Sequence, residues 1–165
     1  MNTKKETERI KRTVADSRTE QVHIIRTTHL NASRRLFGGV LMQWLDEVAG
    51  VVAMRHAGTK RVTTASVDNL QFKEGTYEGD LLVIIGYVTY VGTSSMEIEV
   101  DTYTEHMDGM RHLVNRAFFV MVALGEDNQP CQVPMLEITT EEEQARYEAG
   151  ILRRQMRSQR RQEGY

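Results

Sequence analysis

The feature that most constrains the fold is one long apolar helix that is followed by strands alone. Residues 38–56 repeat apolar side chains at the 3.6-residue period of an α-helix. The repeating positions are Val40, Leu41, Trp44, Leu45, Val48, Val51 and Val52, and the face is widened by Met42, Ala49, Ala53 and Met54. A helix with so broad an apolar face is predicted to be buried on most sides. Gly38 and Gly39 stand at its entrance and Gly58 follows its end.

After this helix the apolar period changes from 3.6 to two, which is typical of β-strands. We predict strands in residues 61–73, 80–91, 95–105 and 112–124, and a first strand before the helix in residues 20–28. The clearest alternation places Met96, Ile98, Val100 and Thr102 on one face, and Glu97, Glu99, Asp101 and Tyr103 on the other. Consecutive strands joined by short turns pair mostly antiparallel. The sequence therefore predicts an α+β fold, with one long helix lying against one face of a curved sheet.

Charge divides the chain into three parts. Residues 1–19 hold almost nothing to bury and are interpreted as a charged, solvated arm, residues 20–138 as the folded domain, and residues 139–165 as a charged C-terminal helix. Thr140 and Glu143 have capping-box spacing at the start of that helix. A weak apolar stripe could dock the helix: Tyr147, Ile151, Leu152 and Met156. The arginines at positions 153, 154, 157, 160 and 161 are interpreted as a solvated face, with a patch for an anionic ligand or a membrane as the alternative.

Composition excludes several classes of protein. Lys and Arg total 21 against 23 Asp and Glu, so the chain lacks the basic excess that nucleic-acid binding requires. No apolar run is long enough to span a membrane, and the charged first 20 residues predict that no signal peptide is present. The single cysteine, Cys131, rules out an internal disulfide and a zinc site built from several cysteines. A cytoplasmic location is expected.

Two polar features near the apolar helix are candidates for chemistry. The loop 29–39 ends in Gly38 and Gly39, where free helix N-terminal amides favour an anion or a developing oxyanion, although a simple tight turn explains the glycines equally well. Asp46 lies two turns further on, along the polar side that the helix shares between Gln43, Asp46, Glu47 and Gly50. Such a carboxylate is a candidate general base or nucleophile. The alternative is a carboxylate that faces a water channel or pairs with Arg55 or Lys60.

Other polar residues carry weaker signals. Gly92, Thr93, Ser94 and Ser95 form a hydroxyl-rich turn between two predicted strands, which could bind a phosphate or could be an ordinary turn. The five histidines lack the spacing of metal ligands, and we expect no metal site. The chain also lacks the G-x-S-x-G motif of serine hydrolases and the glycine-rich motifs of nucleotide-binding folds.

Taken together, these motifs resemble the hotdog-fold acyl-CoA thioesterases, in the branch of the bacterial broad-range enzymes and the brain-type cytosolic acyl-CoA hydrolase. The resemblance extends over about residues 20–135. It rests on Asn31-Ala32, Leu36-Phe37-Gly38-Gly39, Met42, Trp44, Asp46-Glu47-Val48-Ala49, Arg55-His56, Thr64, Val67-Asp68-Asn69-Leu70-Gln71-Phe72, Gly79-Asp80 and Val91-Gly92-Thr93-Ser94-Ser95-Met96-Glu97. One departure is Arg34, at a loop position where relatives often have glycine.

The resemblance implies a five-stranded antiparallel sheet wrapped round the long helix, and a homodimer that often assembles into a trimer of dimers. It implies hydrolysis of fatty acyl-CoA, with Asp46 and Asn31 as catalytic residues from opposite chains and with Gly39 supplying a backbone N–H to the thioester carbonyl. Coenzyme A would be bound by Arg55, His56, Thr64 and the turn Gly92, Thr93, Ser94 and Ser95. No cofactor is implied, since coenzyme A is part of the substrate.

Two other classes remain open from the sequence. A hotdog module that binds acyl-CoA without turnover would lack the pair Asn31 and Asp46 or would carry a DNA-binding segment. A hotdog hydratase or dehydratase would need a histidine paired with a carboxylate, and His29 keeps that alternative open.

Overall fold

A computed structural model describes residues 9–165 and has three helices and seven strands in that range. In chain order the elements are β1 (Lys11–Thr13), α1 (Val14–Ser17), β2 (Thr19–Ile24), α2 (Gly38–Ala57), β3 (Val62–Asp68), β4 (Leu81–Val91), β5 (Ser95–Glu105), β6 (Arg111–Ala123), β7 (Met135–Glu137) and α3 (Glu141–Glu163). A short 3₁₀ turn, Thr27–His29, lies between β2 and α2. The long helix and the strands β4, β5 and β6 therefore lie where the periodicity predicts them, whereas the strand predicted over residues 61–73 ends at Asp68.

The main sheet is antiparallel and has five strands in the order β2-β4-β5-β6-β3. Its inner face packs against α2, where fully buried Leu45, Val48 and Val52 meet strand residues such as Leu82 and Ile98. At Gly86 a Cβ atom would lie 2.7 Å from Val48 Cγ1, so a larger residue there would push the helix away from the sheet. β2 and β3 are the two edges of the sheet, and both flank the helix.

The alternation predicted for β5 is confirmed, but both faces of the strand are buried. Thr102 and its apolar partners face α2, while Glu97, Glu99 and Asp101 on the outer face are only 1%, 4% and 1% exposed. Their charges are met by arginines: Arg116 pairs with Glu99 and Asp101, and two arginines of α3 pair with Glu97. The outer face is therefore a buried ionic layer rather than a wetted surface.

The N-terminal segment differs from the solvated arm that its charge predicts. Residues 1–8 lie outside the described part of the chain, but residues 9–19 are docked. β1 pairs in parallel with β7, Ser17 is buried in α1, and Arg9 donates to the backbone oxygens of Val133 and Gly92 at 3.0 and 2.9 Å. Backbone pairing and arginine–carbonyl contacts anchor this segment, and neither needs the apolar residues that a sequence pattern would reveal.

The C-terminal helix begins where it is predicted, and Thr140 Oγ1 accepts from Glu143 N at 3.1 Å. The predicted apolar stripe docks only in part: Tyr147 and Ile151 are half-buried, with the Tyr147 ring 5.2 Å from that of Tyr90, whereas Leu152 and Met156 are 60% and 62% exposed. Further contacts of the helix are ionic. Arg153 and Arg157 reach the buried Glu97, and Arg157 and Arg160 reach Asp68. These three arginines are therefore paired inside the chain. They form neither the predicted solvated face nor the alternative, a free patch for an anionic ligand. Within residues 9–165, no helix combines the length and apolar composition that a membrane crossing requires.

Candidate active site

The loop before α2 is closed on itself by Asn31. The Asn31 Oδ1 atom accepts from the backbone N–H groups of Ser33 and Arg35 at 2.9 and 3.2 Å, which makes an Asx-type turn. Arg34 in this turn has a φ of 57°, in the left-handed region that favours glycine. The departure from the family pattern at Arg34 therefore falls where the backbone strains an arginine. Asn31 is exposed.

The entrance of α2 offers free backbone donors. Phe37 is the N-cap residue and makes no side-chain capping bond, while Val40 and Leu41 donate to the Phe37 carbonyl. Within residues 9–165, no acceptor satisfies the N–H groups of Gly38 or Gly39. These amides point out of the positive end of a 20-residue helix. They are suited to stabilise a negative oxygen.

Asp46 lies on the exposed strip of α2 and is held by β3. Thr64 Oγ1 donates to Asp46 Oδ1 at 2.6 Å, so one carboxylate oxygen is fixed, while no hydrogen bond within residues 9–165 reaches the other. Neither Arg55 nor Lys60 pairs with Asp46 in the described chain; Arg55 instead donates to Arg18 O and Thr19 Oγ1. The carboxylate is thus exposed in the single chain, on the polar side of α2 where the sequence places it.

The structure places Asp46 and Asn31 in two different openings. The first, the Asp46 hollow, is about 610 Å³ and lies between the edge strands, lined by Gln21, Asp46, Glu47, Gly50, Thr63 and Thr64 among others. The second, the Asn31 cleft, is about 310 Å³ and lies at the helix entrance, lined by Asn31, Leu36, Gly38, Leu41 and Phe72 among others. One chain therefore carries two separate halves of the predicted catalytic pair.

The predicted coenzyme A contacts are only partly accessible. His56 is fully buried, and its Nε2–H donates to the Pro134 carbonyl at 3.1 Å, so it is not positioned to contact a phosphate. Burial lowers the pKa of His56, which keeps the ring neutral. This prediction fails because the residue follows the apolar face of α2 into the core. Thr64 contacts Asp46, and Arg55 is exposed but contacts the N-terminal segment.

The turn between β4 and β5 is braced by its own backbone. Gly92 N donates to Ser95 O at 2.8 Å, Ala123 N to Ser94 O at 3.0 Å, and Val133 N to Thr93 O at 3.0 Å. Arg9 adds contacts to the Gly92 and Thr93 carbonyls. The carbonyls therefore face the protein, and the side chain of Thr93 is on the exposed side.

The sequence analysis did not identify any residue of β2 as part of the candidate site. Gln21 lines the Asp46 hollow, and the neighbouring His23 stacks on Trp44 with ring centroids 4.0 Å apart. His29 contacts the same indole edge-on at 5.0 Å, and its Nδ1 accepts from Arg26 N. Burial lowers the pKa of His23. No local signal ties β2 to α2, because sheet pairing with β4 brings them together.

In the described chain His29 faces an indole and a backbone amide rather than the carboxylate partner that a hydratase would need. Residues 9–165 hold no group of three potential metal ligands.

A five-stranded antiparallel sheet wrapped round one long helix is the hotdog fold. The family model described as Thioesterase superfamily matches residues 35–110. The acyl-CoA hydrolase of Staphylococcus aureus, solved with butyryl coenzyme A and coenzyme A, is 30% identical, with a TM-score of 0.88 over 93% of each chain. The chain belongs to the thioesterase superfamily.

Two further relatives add detail. A structure named apo-hexameric acyl-CoA thioesterase is 36% identical, with a TM-score of 0.86 over 92% of this chain and 97% of that one. The cytosolic acyl coenzyme A thioester hydrolase of Rattus norvegicus is 36% identical over 84% of this chain, but this match spans 37% of the rat protein. Among the similar structures are variants of the S. aureus enzyme in which an asparagine, an aspartate or a threonine is replaced by alanine.

Proposed function

We propose that the chain is an acyl-CoA thioesterase, which converts fatty acyl-CoA and water to a fatty acid and free coenzyme A. The observation that carries the proposal is the Asp46 carboxylate, held by Thr64 at 2.6 Å on the open strip of α2. In a thioesterase fold, a positioned carboxylate, combined with free helix-entrance amides from a second protomer, supplies what thioester hydrolysis needs. The asparagine, aspartate and threonine studied in the S. aureus enzyme are the residue types of Asn31, Asp46 and Thr64, which supports these assignments.

Two routes use the same groups. As a general base, Asp46 takes a proton from water while the water oxygen bonds to the carbonyl carbon. As a nucleophile, its free oxygen attacks that carbon, and water later cleaves the anhydride. In both routes the C–S bond breaks, the sulfur leaves with the electron pair and receives a proton, and the Gly39 N–H stabilises the oxyanion. Thr64 fixes one carboxylate oxygen and leaves the other for the reaction.

We propose that two protomers complete each site. Gly39 and Asp46 are seven positions apart on one helix, which is ~10 Å along the axis. The Asn31 cleft and the Asp46 hollow of one chain are also lined by different residues. A two-fold partner that presents its helix entrance to the Asp46 hollow would bring Asn31, Gly39 and Asp46 together. The hexameric state of a structural relative is consistent with a trimer of such dimers.

We further propose a cytoplasmic enzyme that needs no added cofactor. The rat relative is named as cytosolic, which supports the location. Thiolates are good leaving groups, so a carboxylate and backbone amides suffice for the chemistry. Activity is expected to persist after treatment with EDTA.

The test is release of free thiol from acyl-CoA, followed with a thiol reagent, for the full chain and for Asp46→Asn. We expect the variant to lose about 10²–10⁴-fold in kcat, the range for a positioned base, while acyl-CoA still binds. Near wild-type turnover by Asp46→Asn would remove Asp46 from the mechanism. Absence of thiol release by the wild-type chain from every acyl-CoA tried would refute the proposed function.

A further inference from the structure

Tyr87 joins two carboxyl groups on the outer face of the main sheet. Its Oη atom lies 2.9 Å from Glu99 Oε1 and 3.0 Å from Asp101 Oδ2, and all three residues are buried. A phenol carries one hydrogen and an ionised carboxylate carries none, so Tyr87 can donate to only one of these two oxygens. The other contact needs a hydrogen that a carboxyl group supplies.

Arg116 does not supply the missing hydrogen. Its Nε atom is 2.9 Å from Glu99 Oε1, but the single N–H on that nitrogen is directed at Asp101 Oδ1 at 2.6 Å. Arg116 Nη2 donates to Asp101 Oδ2 at 2.9 Å, so both of these guanidinium bonds reach the same carboxylate. The arginine therefore compensates the charge of Asp101 and leaves Glu99 Oε1 without a hydrogen from the guanidinium.

The surroundings decide which carboxyl group keeps a proton. Asp101 accepts two bonds from Arg116 and a third from Tyr103 Oη at 3.2 Å, and hydrogen bonds to a carboxylate favour its ionised form. Burial and the neighbouring Asp101 instead raise the pKa of Glu99. Two adjacent buried carboxyl groups that share one arginine are expected to hold one proton between them.

The other groups around Glu99 do not reverse this balance. The titratable and charged groups that face it are Tyr87 from β4, Asp101 and Tyr103 from β5, Arg116 from β6 and Arg146 from α3. Arg146 favours the ionised form, but burial has the larger effect, and this arginine also pairs with Glu142 of its own helix at 2.7 Å. Glu97, two positions away on the same face, has its own arginines, and α1 contributes the apolar Val14.

We propose that Glu99 holds a proton at neutral pH and donates it to Tyr87, which donates in turn to the ionised Asp101. This buried chain of hydrogen bonds is a pH-sensitive device in the fold, and it lies apart from the candidate active site. Loss of the proton would leave two adjacent buried anions that share a single arginine.

The sign of the pH dependence follows from the folded and unfolded states. The unfolded glutamate ionises at its ordinary pKa of 4.5, so above that pH the folded chain binds about one proton more than the unfolded chain. The stability that this group contributes is complete below pH 4.5 and is lost as the pH rises through the raised pKa of Glu99.

The first experiment compares melting temperatures of the wild type and Glu99→Gln from about pH 5 to about pH 8. Glutamine is always neutral and places an N–H donor where the proposal places the carboxyl proton. We expect the melting temperature of Glu99→Gln, relative to the wild type, to rise by about 4 °C or more over this range. Both proteins keep His56, so the titration of that histidine cancels in the comparison.

Glu97→Gln is the matched control. Glu97 is equally buried on the same face of β5, but it is paired with two arginines, so it is ionised in the proposed arrangement. This variant should have a lower melting temperature than the wild type, by nearly the same amount at each pH. An equal pH dependence in the two glutamine variants would show that the effect does not belong to Glu99, and would overturn the inference.

A spectroscopic measurement observes the proton directly. In a chain whose glutamate carboxyl carbons alone carry ¹³C, we expect one NMR signal at neutral pH with the chemical shift of a protonated acid. That signal should be absent from Glu99→Gln and present in Glu97→Gln.

Three further outcomes overturn the inference. The first is a wild-type spectrum in which every glutamate signal has the shift of an ionised carboxylate, and this result needs no variant that folds. The second is a protonated signal that persists in Glu99→Gln. The third is a difference in melting temperature between Glu99→Gln and the wild type that is constant with pH. None of these measurements uses turnover, so the inference is tested independently of the proposed function.

Discussion

Thr64 acts at the scale of a single hydrogen bond. Its hydroxyl holds Asp46 Oδ1 at 2.6 Å, a length typical of a bond to a charged acceptor. Both residues are exposed in the single chain, so little of the folding energy depends on the contact. Its consequence is orientation of the carboxylate, which is where we expect its loss to appear.

Replacing Thr64 by valine keeps the side-chain shape and removes the donor. We expect kcat for acyl-CoA hydrolysis to fall about tenfold or more, because a hydrogen bond to a charged group contributes about 1.5–3 kcal/mol. Thr64→Ser keeps the hydroxyl and should retain most of the activity. The measurement is steady-state thiol release, with thermal unfolding as a check that the fold is unchanged. Equal activity in the valine and serine variants would show that the contact is incidental.

Arg34 has a backbone conformation that is unfavourable for a residue with a side chain. Its φ of 57° costs a side chain about 1–2 kcal/mol, part of which glycine recovers. We expect Arg34→Gly to raise the melting temperature by a few degrees, the change that about 1 kcal/mol produces in a chain of this size. The control is Arg35→Gly, which removes the same charge at a neighbouring position without a positive φ. This variant should lower the melting temperature. Scanning calorimetry of both variants gives the comparison, and a fall in melting temperature with Arg34→Gly would contradict it.

At the scale of elements, α3 is held to the sheet by charge. Glu97 Oε1 accepts from Arg153 at 2.7 Å, Glu97 Oε2 accepts from Arg157 at 2.7 Å, and Thr89 Oγ1 donates to the same carboxylate at 2.8 Å. The carboxylate is 1% exposed. Removing one partner of a buried pair is costly because the remaining charge stays desolvated.

Arg157→Met tests this anchor. We expect the free energy of unfolding to fall by about 2 kcal/mol or more, below the full cost of an orphaned charge because Arg153 remains. Arg161→Met replaces an exposed arginine on the same helix and should change stability by less than about 0.5 kcal/mol. The measurement is urea unfolding of the two variants. Equal midpoints would mean that the buried ion pair contributes nothing to the free energy of unfolding.

His56 joins α2 to the segment before β7. Burial keeps the pKa of its ring below the usual 6.5, so the unfolded chain binds more protons than the folded chain just below pH 6.5. The free energy of unfolding therefore falls as pH drops through 6.5, by up to about 1.4 kcal/mol per pH unit. We expect this slope to be shallower in His56→Gln, and unchanged in His106→Gln, which alters an exposed turn. Unfolding curves at several pH values below 6.5 test it, and parallel slopes in all three proteins would contradict it.

What the sequence predicts depends on how local the cause is. α2 and the strands β4, β5 and β6 show their period within a single segment, and the predicted bounds agree with the structure to within one or two residues. The sequence analysis names both Asp46 and Thr64 as site residues. It does not predict the hydrogen bond between them, because that bond depends on how β3 lies beside α2. β1 has three residues and its partner β7 lies about 120 positions away, so no local pattern marks it. The helix period places His56 on the apolar face, four positions after Val52, and so predicts that it is buried. Its assignment to coenzyme A binding came from the family resemblance instead.

At the scale of the whole molecule, the residues of the proposed site are divided between two openings of the chain. Asn31 and the helix-entrance amides lie at one opening, and Asp46 lies at another between the edge strands. The edge strands β2 and β3 also leave backbone groups available for pairing with a second copy. These features support an obligate oligomer in which activity and association are inseparable.

Mixing two inactive variants tests this arrangement. Asp46→Asn and Asn31→Ala should each be impaired alone, and subunit exchange should restore part of the activity because some mixed dimers hold one intact site. Thiol release after mixing is compared with each variant alone, and native mass spectrometry verifies the exchange. Proven exchange without recovery would place both residues in the same protomer's site. A stable, active monomer by light scattering would exclude the dimer altogether.

The buried Glu97 has a consequence for how this sequence can change over time. Its carboxylate is shared by two arginines that lie 56 and 60 positions further along the chain. Replacing Glu97 leaves two arginines without this partner under α3, and replacing either arginine leaves the buried carboxylate with a single partner. Replacing all three by apolar residues of similar volume is tolerated in comparable buried networks. Positions 97, 153 and 157 should therefore covary in an alignment of sequences that keep α3. A descendant that loses this helix would be free to exchange Glu97 for a neutral residue.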